Sequence, residues 1–171
     1  MRGTRGAGFS LVELMVTLAV LAIVVAIAVP SYRMLIRSSQ LSTATNELVA
    51  GFALARSEAQ KNGLGAGVCA SSAGSGCDGA SWGDGWMVWS DRDGDGAFGD
   101  GDDVLRFTSG IPAVQGNAGD LDIVYGARGI RRADANQSVI LRLDTCGSQK
   151  LQRRLVVAKT GQVRVTQEAC S

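Results

Sequence analysis

The sequence predicts an α+β protein: one long N-terminal helix, membrane-spanning in its first half and amphipathic in its second, packed on a globular domain of antiparallel β-sheet. Three observations carry this. An apolar stretch of 21 residues covers 9–29 and ends at Pro30. Apolar residues then recur at three- and four-residue steps as far as Ala59. Beyond Gly63 the chain becomes glycine-rich, with short alternating segments bounded by Gly, Asp and Ser.

Residues 1–8 form a short basic leader (Arg2, Arg5) that ends at Gly8. The 21 residues that follow span about 31 Å as a helix, enough to cross a hydrocarbon core of about 30 Å. Backbone polar groups in lipid must bond within their own segment, which makes this stretch helical. One carboxylate, Glu13, lies inside it. An acid near the centre of a membrane helix costs about 2.5–3.5 kcal/mol, so a residue kept there points to a role, here assembly rather than catalysis. A cleaved secretory signal is the competing reading, because Ala26-Ile27-Ala28 resembles a small-residue cleavage site. Against it stand Glu13 and a helical pattern that continues past Pro30. Arg2 and Arg5 on one side face Arg33 and Arg37 on the other, so the positive-inside rule leaves orientation undecided.

Pro30 is expected to kink the helix rather than end it. Leu41, Ala44, Leu48, Phe52, Ala55 and Ala59 form one apolar face, with Gln40, Asn46, Glu47, Arg56 and Gln60 mostly off it. Gly63, after Lys61-Asn62, is a C-terminal stop with a base at the negative helix end. The helix should therefore run from Ser10 to Asn62, its extension (30–62) packing on the head (63–171). Within the head, strands are expected at Gly65–Ala70, Trp86–Ser90, Val104–Thr108, Leu121–Tyr125, Val139–Leu143, Leu155–Val157 and Gln162–Thr166. Trp82, Trp86 and Trp89 fit core or turn anchors better than an aromatic binding platform.

Net charge is only +1, but residues 78–122 carry ten acids and two bases, while 128–171 carry nine bases and three acids. An acidic middle and a basic end suggest a charged partner or an ion. The absence of histidine removes Ser-His and Cys-His catalysis and the commonest transition-metal ligand. No phosphate-binding glycine loop of the P-loop type occurs, and no residue pattern argues for an enzyme. All four cysteines, Cys69, Cys77, Cys146 and Cys170, follow the apolar run, which reads as two disulfides in an exported domain. Three connectivities are open. The sequential one is favoured, because Cys69–Cys77 would close a small Gly/Ser-rich loop and Cys146–Cys170 would pin the C-terminus. The spacing does not suit zinc-ligating Cys pairs.

Asp91-Arg92-Asp93-Gly94-Asp95-Gly96, with Asp102 at the twelfth position, matches the oxygen spacing of a calcium loop. Asp91, Asp93, Asp95 and Asp102 are thus candidate Ca2+ ligands, on a hairpin rather than between helices. A solvated turn uses the same residues.

Gly8-Phe9-Ser10-Leu11-Val12-Glu13, followed by an apolar helix with a proline some twenty residues on, resembles the N-terminal signal of the type IV pilin superfamily. The resemblance implies cleavage between Gly8 and Phe9 by a prepilin peptidase, N-methylation of Phe9, and pairing of Glu13 with that amino group in a helical filament. Trp82-Gly83-Asp84-Gly85-Trp86, the Asp-rich turn, Val104-Leu105-Arg106, Leu155-Val156-Val157 and Thr160-Gly161-Gln162-Val163-Arg164 are similar to the GspH/FimT family of minor pilins and pseudopilins. The implied fold is the pilin fold. The implied function is a minor type IV pilin that primes or tips a filament, or a minor pseudopilin H of a type II secretion system. Implied partners are other minor and major pilins or pseudopilins and the processing peptidase/methylase. The implied location is the inner membrane, N-terminus cytoplasmic and head periplasmic, then the filament. Some family members bind DNA during natural transformation through Gly-Arg-x-Arg. Here Gln162 replaces the first Arg, and Arg153, Arg154, Lys159 and Arg164 are candidate phosphate contacts. A solvated face or a subunit contact is the alternative use of those bases.

Overall fold

The computed structural model describes residues 10–146 and 149–170. The proposed cleavage pair, Gly8 and Phe9, lies outside the described residues. The chain divides after Ile36 into two compact units.

One helix, α1 (Leu11–Asn62), runs for 52 residues and includes Pro30. Pro30 has no N–H to give to the carbonyl one turn earlier, so this is the helix's weakest point by backbone bonding. Every described side chain from Ser10 to Arg33 is exposed. A ring of exposed Leu, Val and Ile has no stable place in water and needs lipid or other helices around it. Thr17 turns its hydroxyl back onto the Leu14 carbonyl at 2.8 Å, which satisfies it without water.

The second half of α1 buries Leu41, Ala44, Thr45, Leu48, Gly51, Phe52, Ala55 and Ala59, the stripe seen in the sequence plus Thr45 and Gly51. Gly63 ends the helix with φ +73°, a conformation that costs glycine little. Asn62 fastens the exit. Its Oδ1 accepts from the N–H groups of Leu64 (2.8 Å) and Gly65 (3.0 Å), and its Nδ2 donates to the Gly65 carbonyl at 2.6 Å.

Eight strands follow: β1 (Gly65–Ala70), β2 (Gly85–Asp91), β3 (Asp103–Ser109), β4 (Val114–Gly116), β5 (Asp122–Gly126), β6 (Gln137–Leu143), β7 (Gln152–Val157) and β8 (Val163–Glu168). They form two four-stranded sheets, β3-β2-β1-β5 and β4-β6-β7-β8, with every pairing antiparallel. The short strand β4 was not expected, since three residues are too few to show alternation. The strand expected at Leu155–Val157 starts three residues earlier, at Gln152, where Gln152–Arg154 pair with Ile140–Arg142.

The first sheet has two covered faces, which is why β1 and β2 are buried at every position. On one face α1 lies close: a side chain on Gly51 would meet Val88 at 3.4 Å and Trp86 at 3.8 Å, and Phe52 packs edge-on to Trp82 at 6.2 Å. On the other face Cys69, Met87, Trp89 and Val124 cluster beneath Phe98. Phe98 comes from the Asp-rich loop and meets Trp89 edge-on at 5.9 Å. All three tryptophans are buried core residues. Cys69 is bonded to Cys77 and Cys146 to Cys170, with Cα separations of 5.5 and 5.8 Å.

Candidate functional site

Glu13 stands in the first turn of α1 and is exposed among exposed apolar side chains. A helix N-terminus is the favourable end for an acid. Nothing within the described chain neutralises it by an ion pair, so a cation reaching Glu13 in lipid comes from outside these residues.

The Asp-rich loop connects β2 to β3. It brings Asp91, Asp93 and Asp95 together, one carboxylate oxygen of each within 4.8 Å of the others. Asp102, the fourth expected ligand, is not in that group. Its oxygens instead accept from the N–H groups of Arg92 (2.8 Å) and Gly99 (2.9 Å) and tie off the loop. Asp91 is fully buried. It accepts from the Gly94 and Gly96 N–H groups at 2.7 and 3.0 Å. It also receives a cation that local spacing could not reveal: the Arg132 guanidinium, 41 residues away, at 2.9 Å. The same nitrogen donates to the carbonyls of Leu64 (3.2 Å) and Gly94 (2.9 Å). Arg132 thus supplies positive charge at the first position of the loop.

The four candidate phosphate contacts are not brought together. Arg153 and Arg154 are consecutive in β7 and point to opposite faces. Arg153 is 92% buried, being 8% exposed, and donates to the carbonyls of Lys150 (2.9 Å) and Gln152 (3.2 Å). Little of its guanidinium is left to meet a phosphate, and burial pushes its pKa down. Arg154 is committed to Glu168 on β8, its Nε lying 2.9 and 3.0 Å from the two oxygens. Hydrogen bonding from Arg154 holds the Glu168 carboxyl below the usual range. Lys159 reaches Asp134 at 3.4 Å. Arg164 is exposed.

Arg131, one of the nine bases of 128–171, is also internal, at 8% exposed. It donates to the Ala135 carbonyl and to Gln137 Oε1. Its Nε and the nearby Tyr125 hydroxyl are buried without a partner, and burial raises the Tyr125 pKa. A cavity of about 470 Å3 opens beside it, lined by Asp120, Asp122, Arg132, Asn136 and Gln137 among others. No local pattern marks Arg131 as internal, because the loop between β5 and β6 has no period to read.

Comparison with known proteins adds four findings. The family model described as type II transport protein GspH matches residues 44–161. The model of the prokaryotic N-terminal methylation motif matches residues 4–29. No curated protein sequence matches the chain significantly. The fold is similar to that of the Pseudomonas aeruginosa type IV minor pilin FimU in two crystal forms. One has TM-score 0.57 at 18% identity, covering 75% of this chain and 89% of that one. The other has TM-score 0.55 at 18% identity, with coverages of 73% and 91%.

Proposed function

Because the chain belongs to the type II transport protein GspH family and carries the N-terminal methylation motif, we propose that it is a minor pilin that primes or tips a type IV filament. The leader is cut between Gly8 and Phe9, and the new amino group is methylated. The N-terminus starts on the cytoplasmic side of the inner membrane and the head stands in the periplasm. On assembly, Glu13 pairs with the Phe9 amino group of its own or a neighbouring subunit, and the exposed apolar helix faces trade lipid for one another. The observation that carries this reading is a single acid, unpaired among the described residues, in the first turn of a helix whose apolar side chains from Leu11 to Val29 are all exposed. In low dielectric its attraction to an amine is strong and has few competitors.

The test is Glu13→Gln in the full chain. We expect normal membrane insertion and cleavage to Phe9 by mass spectrometry, with loss of the protein from sheared filaments. Filament recovery equal to wild type would sink the Glu13 mechanism, and a mature N-terminus at Val29 would sink the pilin processing itself.

The family description favours one second reading, a minor pseudopilin H of a type II secretion system. Co-purification with a major pseudopilin, rather than a major pilin, would select it. The DNA-receptor reading keeps only Lys159 and Arg164 of its four bases.

A further inference from the structure

The loop that joins β5 to β6 ends in the run Asp134-Ala135-Asn136-Gln137-Ser138, with β6 beginning at Gln137. Of the four asparagines in the chain, only Asn136 has a serine or threonine two residues on. Asn-x-Ser/Thr, with x other than proline, is the acceptor pattern for N-linked sugar. It can serve only where the amide stands free on the surface of an exported domain.

The fold meets that condition residue by residue. Side chains alternate along an extended chain. Gln137 turns inward and is buried, donating to the carbonyls of Asp120 and Asp122. Asn136 and Ser138, on either side of it, are both exposed. The amide and the hydroxyl that the pattern requires therefore face the same way, into solvent. Asn136 Oδ1 accepts from the Lys159 N–H at 3.0 Å, which steadies the carboxamide, while its Nδ2 has no partner among the described residues. The Ser138 hydroxyl has none among them either. Asp134, two residues ahead of the amide, is 94% exposed and is held only by Lys159, itself 64% exposed, at 3.4 Å. A pair so open to water exchanges its cation for one on an enzyme at little cost.

The position suits a bulky group. Asn136 precedes one end of β6, and Asp144, which meets Arg37 of α1, follows the other. Those two residues are about 26 Å apart along an extended chain. The Asn136 loop lies instead at the end of the head where α1 stops, since Arg132 donates to the Leu64 carbonyl. A sugar there stays clear of the segment by which α1 enters the head.

We propose that Asn136 is a site of N-linked glycosylation, and that the donor is an oligosaccharide carried on a polyprenyl diphosphate and transferred by a membrane-bound oligosaccharyl transferase. Asn136 Nδ2 attacks the anomeric carbon of the sugar. The N–C bond forms as the bond from that carbon to the diphosphate oxygen breaks. The electron pair leaves with the polyprenyl diphosphate, and one amide proton passes to a base of the transferase. Asp134 and Ser138 are positioning residues, read by the transferase beside the amide. The proposal goes beyond the filament reading and rests on one part of it, the export of the head.

The test is mass spectrometry of the full chain purified from the membranes of its native cells. Trypsin cuts after Arg132 and Arg142 and releases residues 133–142, which hold Asn136 and no other asparagine. The expected result is an added mass on that peptide that yields sugar ions on fragmentation and maps to Asn136. It should vanish in Asn136→Gln and in Ser138→Ala and persist in Ser138→Thr. Asp134→Ala should lower the modified fraction about threefold, the worth of one exposed ion pair. Peptide mapping of the Cys69–Cys77 and Cys146–Cys170 bonds in each variant reports folding and export. An unmodified peptide as the sole form, in a chain with both disulfides made, would overturn the proposal. Sugar that persists in Asn136→Gln would place it on the Ser138 oxygen and overturn it as well. The filament reading is scored separately in the same spectra. N-methylated Phe9 without sugar would leave that reading standing, and sugar on Asn136 of a chain that starts elsewhere would uphold the site and refute the processing. Reduced cysteines without sugar would refute the export that both require.

Discussion

Arg132→Leu isolates one decision in this fold: whether the buried Asp91 carboxylate is held by the protein's own cation or by an ion from solvent. Asp91 is completely buried and Arg132 is one-third exposed, at 2.9 Å. Removing one partner of a buried pair costs about 3–5 kcal/mol, because the other charge is left without compensation. Two features reduce that here. Asp91 keeps the Gly94 and Gly96 N–H groups, and water can enter where Arg132 was. We therefore expect a loss of about 2–3 kcal/mol, or about 6–12 °C in Tm for a head of this size. Near-UV circular dichroism of the full chain in detergent reads it directly, since all three tryptophans lie in the head core.

Two controls sharpen the measurement. Asp91→Asn combined with Arg132→Leu should cost at least about 1 kcal/mol less than the sum of the single changes, as coupled partners do. Calcium should raise the Tm of Arg132→Leu more than that of the wild type. In the variant, Asp91, Asp93 and Asp95 converge with no protein cation beside Asp91, whereas in the wild type Arg132 already stands there. A Tm loss below about 3 °C in the variant, or equal calcium stabilisation of both proteins, would refute the assignment of Arg132 as the loop's counter-ion.

Further outcomes follow from single contacts. Gly67→Ala puts a methyl group 2.5 Å from the Trp89 ring. It should cost about 1–3 kcal/mol by overpacking and disturb the tryptophan signal, with partial recovery in combination with Trp89→Leu. Replacing Cys146 and Cys170 by Ser opens a loop of sequence separation 24, against 8 for Cys69–Cys77. On loop entropy the first change costs about 3.5 kcal/mol and the second about 2.5, which denaturant midpoints would rank. Backbone bonding from Ser72 holds Asp78, and Arg154 holds Glu168, below their ordinary values of 3.8 and 4.5. The unfolded chain therefore takes up protons first. The stability from both groups is present above those ordinary values and is lost as pH falls through the lower folded ones. Glu168→Gln should flatten this acid limb in a pH series of Tm values. With Arg153 buried and Arg154 engaged, DNA binding should be weak, with a log–log salt slope no steeper than about −2 for two phosphate contacts.

Local pattern made much of this molecule legible. The apolar run, the 41–59 stripe and Gly63 placed α1 within one residue of its observed start, because a helix bonds to itself and its period lies in neighbouring residues. Strand β1 was legible in the same way, bounded by Gly63 and Ser71. The division into two sheets was not legible. It depends on β5 pairing with β1, from Gly126 against Gly65 to Asp122 against Cys69, partners that lie 61 to 53 residues apart.

The candidate sites show where such reading stops. A strand's side chains alternate, so its first residue decides which face every later one occupies. A strand that begins at Leu155 leaves Arg153 and Arg154 together in a loop, equally available. With β7 begun at Gln152 they belong to opposite faces, one inside beside backbone carbonyls and one outside against Glu168. The Asp-rich loop behaves likewise. Its three converging carboxylates are set by spacing of two residues and were visible at once. The charge that answers them comes from Arg132, beyond β5, and only the closed fold brings it there. Short-range spacing thus identifies groups able to bind a cation or an anion. Whether they remain free to do so is decided by partners distant in sequence, and Arg132→Leu probes that step most directly.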